Sequence, residues 1–117
     1  MDESLGKVTI APNVLITIVQ KTAGAVPGVA RLCDSIPGVK RLLGLPSAGR
    51  GVRVNVVENA VLVDIYVIAR RGVDLLQMGR QLQQQITEDI EQIVGMAVRQ
   101  VDVHIEDIEI EQPSIKN

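Results

Sequence analysis

From Val52 to Ile68 the chain reads VRVNVVENAVLVDIYVI, and this alternation constrains the fold more than any other feature. Val52, Val54 and Val56 share one side of an extended segment, and Val61, Val63, Ile65 and Val67 repeat the period of two after an interruption at Glu58-Asn59. Asn tolerates the left-handed backbone of a tight hairpin turn, so the stretch predicts a β-hairpin. Its second arm is apolar on both faces and belongs in the middle of a sheet, with the first arm nearer an edge. A sheet of this kind must be covered on its apolar face.

The cover has to be aliphatic, because Tyr66 is the only aromatic residue in 117, with no Phe and no Trp. At 46% hydrophobic and 22% charged residues the chain has the composition of a folded protein, and at this length one domain buries roughly 60–70% of its unfolded surface.

Two segments supply the cover. From Pro12 to about Val26, residues Val14, Leu15, Ile18, Val19, Ala23 and Val26 recur at helical spacing, with Pro12 in the first turn, where its missing N–H costs nothing. From Leu75 onward, Leu75, Met78, Leu82, Ile86, Ile90 and Ile93 form a second stripe, with Asp74 placed to cap it and Gly95 to end it. A short strand is expected at Lys7–Ile10, where KVTI alternates. A last strand is expected in AVRQVDVHIEDIEI, where the apolar phase slips at Glu106-Asp107 and implies a bulge. The order is β-α-β-β-α-β, an α+β two-layer sandwich with two helices on one face of a roughly four-stranded sheet. One domain spans residues 5–110, and residues 111–117 form a polar tail.

Between the first helix and the hairpin, VPGVARLCDSIPGVKRLLGLPSAGRG interrupts regular structure with two Pro-Gly pairs. Its GLPSAGRG precedes a strand and not a helix, so it is not a phosphate-binding loop. Charge is unevenly spread. Residues 1–85 carry ten Lys/Arg against six Asp/Glu, and residues 86–117 carry two against eight, which allows either oppositely biased solvated faces or charge-complementary association.

The side chains that carry chemistry are few. His104 lies between Val103 and Ile105 and should face away from the core; Cys33 reads as a small hydrophobe; Glu106, Asp107, Glu109 and Glu111 lack the spacing of a Ca²⁺ loop. Asp64 is expected on the open face of the sheet; on the helix side it would need a partner such as Arg70. No catalytic, cofactor or metal site is expected, and the chain is read as not an enzyme. A lone cysteine and the lack of an apolar run behind a basic N-terminus predict a cytosolic protein without a signal peptide. Arg50, Arg53, Arg70 and Arg71 form a basic set that would suit nucleic acid, but only Tyr66 offers a base a stacking surface.

GKVTIAPNVLITIVQKTAGAVPGV, GVRVNVVENAVLVDIYVIARRGVDL and IEQIVGMAVRQVDVHIEDI, in this order, resemble the bacterial alkaline shock protein family of general-stress and cell-envelope stress-response proteins. The likeness runs from about Leu5 to Ile110. It implies a non-enzymatic cytoplasmic protein, prone to self-assembly and held in some members near the inner face of the membrane by a membrane-anchored partner, with no catalytic residues to carry over. The expected function is an interaction or scaffold role in envelope homeostasis; the alternative is a nucleic-acid- or ribosome-associated adaptor using the arginines.

Two surfaces are expected to matter. Arg31, Leu32, Ile36, Val39, Lys40, Arg41, Leu42, Leu43 and Leu45 combine apolar and basic residues in the Pro/Gly-rich segment, where they either meet a partner or seal the core. Val52, Arg53 and Val54 at a basic sheet edge, with Glu106 and Glu109 at an acidic one, are the expected self-association residues of a homo-oligomer.

Overall fold

A computed structural model describes residues 5–34 and 47–110. Two helices, α1 (Pro12–Gly24) and α2 (Leu75–Ile93), pack on one face of a sheet built from β1 (Val29–Leu32), β2 (Ser47–Gly49), β3 (Val52–Val57), β4 (Ala60–Arg70) and β5 (Ala97–Glu109). The expected α+β two-layer class holds.

β4 is the spine. β3 pairs antiparallel with its first half, from Val57↔Ala60 to Val52↔Ile65, through a turn in which Glu58 and Asn59 both take positive φ, 52° and 65°. β1 pairs antiparallel with its second half, at Val67, Ile68 and Ala69, so β1 and β3 lie end to end along one side. β5 runs parallel along the whole of the other side, joined through α2. β2 lies outside β3, giving four strand lanes across.

One β5 bulge falls where the sequence implied it. Ile105 pairs with Val67 and Asp107 with Ile68, leaving Glu106 as the extra residue, and the slip returns Ile108 to the helix side. Asp74 caps α2 by accepting from the Gln77 amide at 3.1 Å, and Gly95 at φ 81° ends it.

The core is aliphatic throughout. Leu15, Val19 and Ala23 of α1 and Leu82, Ile86 and Ile90 of α2 close over Val52, Val54, Val61, Val63, Ile65 and Val67 of the sheet. Tyr66, the one aromatic, faces away from it. Thr22 of α1 is buried and its hydroxyl donates to Asp89 of α2 at 2.6 Å, so this pair ties the helices together.

Three expectations are corrected. Lys7–Ile10 is not a strand: it leads into α1 without sheet pairing, and Val8 is 90% exposed. The strand beside β4 comes instead from Val29–Leu32, inside the Pro/Gly-rich segment, so the chain runs α-β-β-β-β-α-β. Val14 and Ile93, expected in the apolar stripes, are 44% and 67% exposed near the ends of their helices, while Ile16 is buried in α1.

Candidate functional site

The hairpin register sets the polar geometry of the open face. A two-residue turn at Glu58-Asn59 forces Arg53 opposite Asp64, and the parallel β4–β5 ladder puts Tyr66 opposite His104. Arg53 donates from Nε (3.3 Å) and Nη2 (3.0 Å) to Asp64 Oδ2, and His104 Nε2 lies 2.9 Å from Asp64 Oδ1. The imidazole stacks on the Tyr66 ring with centroids 4.2 Å apart and planes 8° from parallel. Asp64 therefore lies on the open face, and its partner is Arg53, not Arg70.

An aspartate beside a histidine is the orienting half of a nucleophilic site, but among the described residues no hydroxyl or thiol is hydrogen-bonded to the imidazole of His104. Burial pushes the Asp64 carboxyl up; the hydrogen bonds from His104 and Arg53 and the Arg53 charge outweigh that, so it titrates below the usual carboxylate range. Along the same face Asn55, Leu62, Ile68, Gln100 and Asp102 carry neither hydroxyl nor thiol, and the one hydroxyl beside the pair, the Tyr66 phenol, is pushed up by burial and by the Asp64 charge. Burial and the carboxylates of Glu106, Asp34 and Asp107 push the Cys33 thiol up against the pull of Arg31, which disfavours a reactive thiolate. Among the described residues no cluster of His, Cys, Asp and Glu is placed to hold a metal ion.

What this network does is hold three strands in register. Asp64→Asn keeps the shape but removes the charge that Arg53 meets, and should cost about 1 kcal/mol at neutral pH for a half-exposed pair. Because the folded pKa is lowered, this stability is present above the unfolded carboxylate pKa and disappears as pH falls through the folded value. Urea unfolding of both proteins should show the difference at neutral pH and its progressive loss as pH falls below the unfolded carboxylate value. A constant difference would place the effect in packing.

The expected self-association residues are placed unequally. Val52, Arg53 and Val54 do not form a free edge: Gly49, Ala48 and Ser47 of β2 pair with them, the two valines are buried, and Arg53 is bound to Asp64. The expectation failed because the glycine-containing SAG stretch carries no strand periodicity. Glu106 is exposed on the bulge of β5, and Glu109 meets Arg31 at 3.1 Å, joining the basic and acidic parts of the chain within one molecule. Of the expected partner surface, Arg31 is exposed on β1 and Leu32 packs against the core; Ile36, Val39, Lys40, Arg41, Leu42, Leu43 and Leu45 lie outside the described residues.

Among the described residues β5 pairs with β4 alone, so its outer side is the long edge of the sheet. Side chains cap parts of it: Gln83 of α2 donates to the Val101 carbonyl at 3.1 Å, Glu91 of α2 accepts from the Val98 amide at 3.3 Å, and Asp107 accepts from the Ile108 amide at 2.8 Å. Beside the uncapped stretch, α2 and β5 enclose a groove of about 460 Å³ lined by Leu75, Leu76, Gly79, Arg80, Gln83, Val103 and Ile105. Gly79 stands in its wall, where a Cβ would be 4.0 Å from Val103, an ordinary contact distance. The groove was not legible in the sequence because its walls come from two distant segments.

The basic set is dispersed. Arg53 is held by Asp64, Arg71 donates to the Ile110 carbonyl at 2.9 Å, Arg50 lies 3.6 Å from Asp34, and His104 covers one face of Tyr66. No helix among the described residues is long and apolar enough to cross a membrane.

The chain is 28% identical over 111 residues to the uncharacterized protein YqhY of Bacillus subtilis, covering 94% of this chain and 82% of that one. It is 21% identical to the uncharacterized protein Spy1614 of Streptococcus pyogenes, covering 90% and 89%. Among solved structures, a MamM-CTD variant superposes with a TM-score of 0.52 at 12% identity, covering 85% of this chain and 100% of that one, a likeness of fold. A family model described by a cell envelope-related function matches residues 1–110. That match turns the resemblance read from the sequence into membership: the chain belongs to the alkaline shock protein 23 family.

Proposed function

We propose that this protein is a non-enzymatic scaffold of the cell-envelope stress response, which self-associates and is recruited to the inner face of the membrane by a membrane-anchored protein. The observation that carries this reading is the β5 edge with its apolar groove, a surface suited to another polypeptide and not to a small reacting molecule. The saturated Asp64–His104 pair supports it from the other side, since a carboxylate shared between Arg53 and His104 is a structural tie.

The basic, leucine-rich segment from Arg31 to Leu45 is the proposed contact for the membrane-anchored partner. Reversing Lys40 and Arg41 to glutamate should release the protein from the envelope fraction of cells while its melting temperature stays unchanged. Unchanged fractionation would return the segment to sealing the core. The adaptor reading has less support, because Arg50, Arg53 and Arg71 are engaged with carboxylates or a carbonyl and His104 covers one face of Tyr66. Tight, steeply salt-dependent binding to single-stranded nucleic acid would revive it.

A further inference from the structure

The arm Lys7–Ile10 and the uncapped stretch of β5 are each incomplete. The arm alternates Lys7, Val8, Thr9, Ile10 in a strand-like pattern, yet among the described residues it pairs with no strand, and Val8 is 90% exposed. It continues directly into α1, which packs against α2, β1, β2 and β3. On β5, among the described residues, no side chain caps the outward backbone groups between Asp102 and Asp107. That window accommodates a four-residue strand.

We infer that the arm Lys7–Ile10 of one copy adds as a further strand to the β5 edge of a second copy, between Asp102 and Asp107. This rests on the scaffold reading and names its self-association contact. Val8 and Ile10 are two residues apart, as are Val103 and Ile105, so a paired arm lays both apolar side chains into the groove beside Gly79 and under Leu76, which is 67% exposed. The same pairing turns Lys7 and Thr9 to the open face, where Asp102 and the exposed Glu106 supply opposite charge to Lys7. Main-chain hydrogen bonds hold the arm, the groove selects its apolar residues, and the carboxylates favour its lysine. Because each copy has one arm and one edge, the contact either closes reciprocally or propagates.

The test is sedimentation of the unmodified chain and of a Val8→Asp, Ile10→Asp double variant at matched concentrations, with amide hydrogen exchange on both. The arm lies outside the core, with Val8 90% and Ile10 41% exposed, so the variant should fold with its melting temperature only slightly lowered. Its self-association should weaken roughly a hundredfold, from the loss of two buried aliphatic side chains. The outward amides of β5 between Asp102 and Asp107 should exchange slowly in the associated unmodified protein and quickly in the variant. If the variant associates as well as the unmodified chain, or if those amides are equally exposed in both, the arm contact is wrong and the scaffold reading stands. If the unmodified chain is itself monomeric throughout, both fail.

Discussion

Ile86→Ala should lower the unfolding free energy by about 3–4 kcal/mol, a large part of what a domain of this size possesses. Ile86 is wholly buried on α2, in the layer that closes over the valines of β3 and β4. The core is built mostly of Val and Ile, stiff at χ1, so little of it can swing into the space left behind. Urea unfolding should move to a lower midpoint with an unchanged slope. Ile93→Ala, one helix turn beyond Ile90 but 67% exposed, should change stability by less than about 0.5 kcal/mol. Similar losses at both positions would mean that the helix packs through a different face.

Gly51→Ala should cost about 2–3 kcal/mol, for two reasons that act together. Gly51 has φ 64°, and an added Cβ would meet the Tyr66 carbonyl and Leu32 Cβ at 2.9 Å and the Cys33 amide at 3.1 Å. The residue sits where β1 ends and β3 begins beside β4: Tyr66 donates its amide to the Gly51 carbonyl at 2.8 Å, and Cys33 donates to the Tyr66 carbonyl at 2.9 Å. Moving this junction should also disturb the Arg53–Asp64–His104 row, visible as changed His104 ring resonances. Gly72 at φ 85°, with nothing within 4 Å of an added Cβ, separates the two causes: Gly72→Ala should cost only about 1 kcal/mol, the backbone component alone. Equal losses at Gly51 and Gly72 would remove steric crowding from the explanation.

Elements with a long, uninterrupted period were legible in the sequence. α2, the hairpin, the Asp74 cap, the Gly95 stop and the Glu106 bulge follow from spacing and from residues with one conformational use. Lys7–Ile10 misled because alternation describes a strand's faces and says nothing about whether a neighbour is available to pair with it. β1 and β2 were hidden in a Pro/Gly-rich stretch whose short strands are ordered by β4 and β3 and not by their own periodicity. The Arg53–Asp64–His104–Tyr66 group spans three strands; the Arg53–Asp64 half was readable from the two-residue turn, whereas the His104 half depends on a parallel register set by α2. The groove required the packing distance between α2 and β5, which no single segment records.

Sedimentation velocity on the unmodified chain, from about 1 µM to about 100 µM, tests assembly most directly. A sedimentation coefficient that rises with concentration above the monomer value, and falls back on dilution, is the expected result. A single monomeric coefficient across the whole range would contradict it, and would leave the sheet as no more than a support for its two helices.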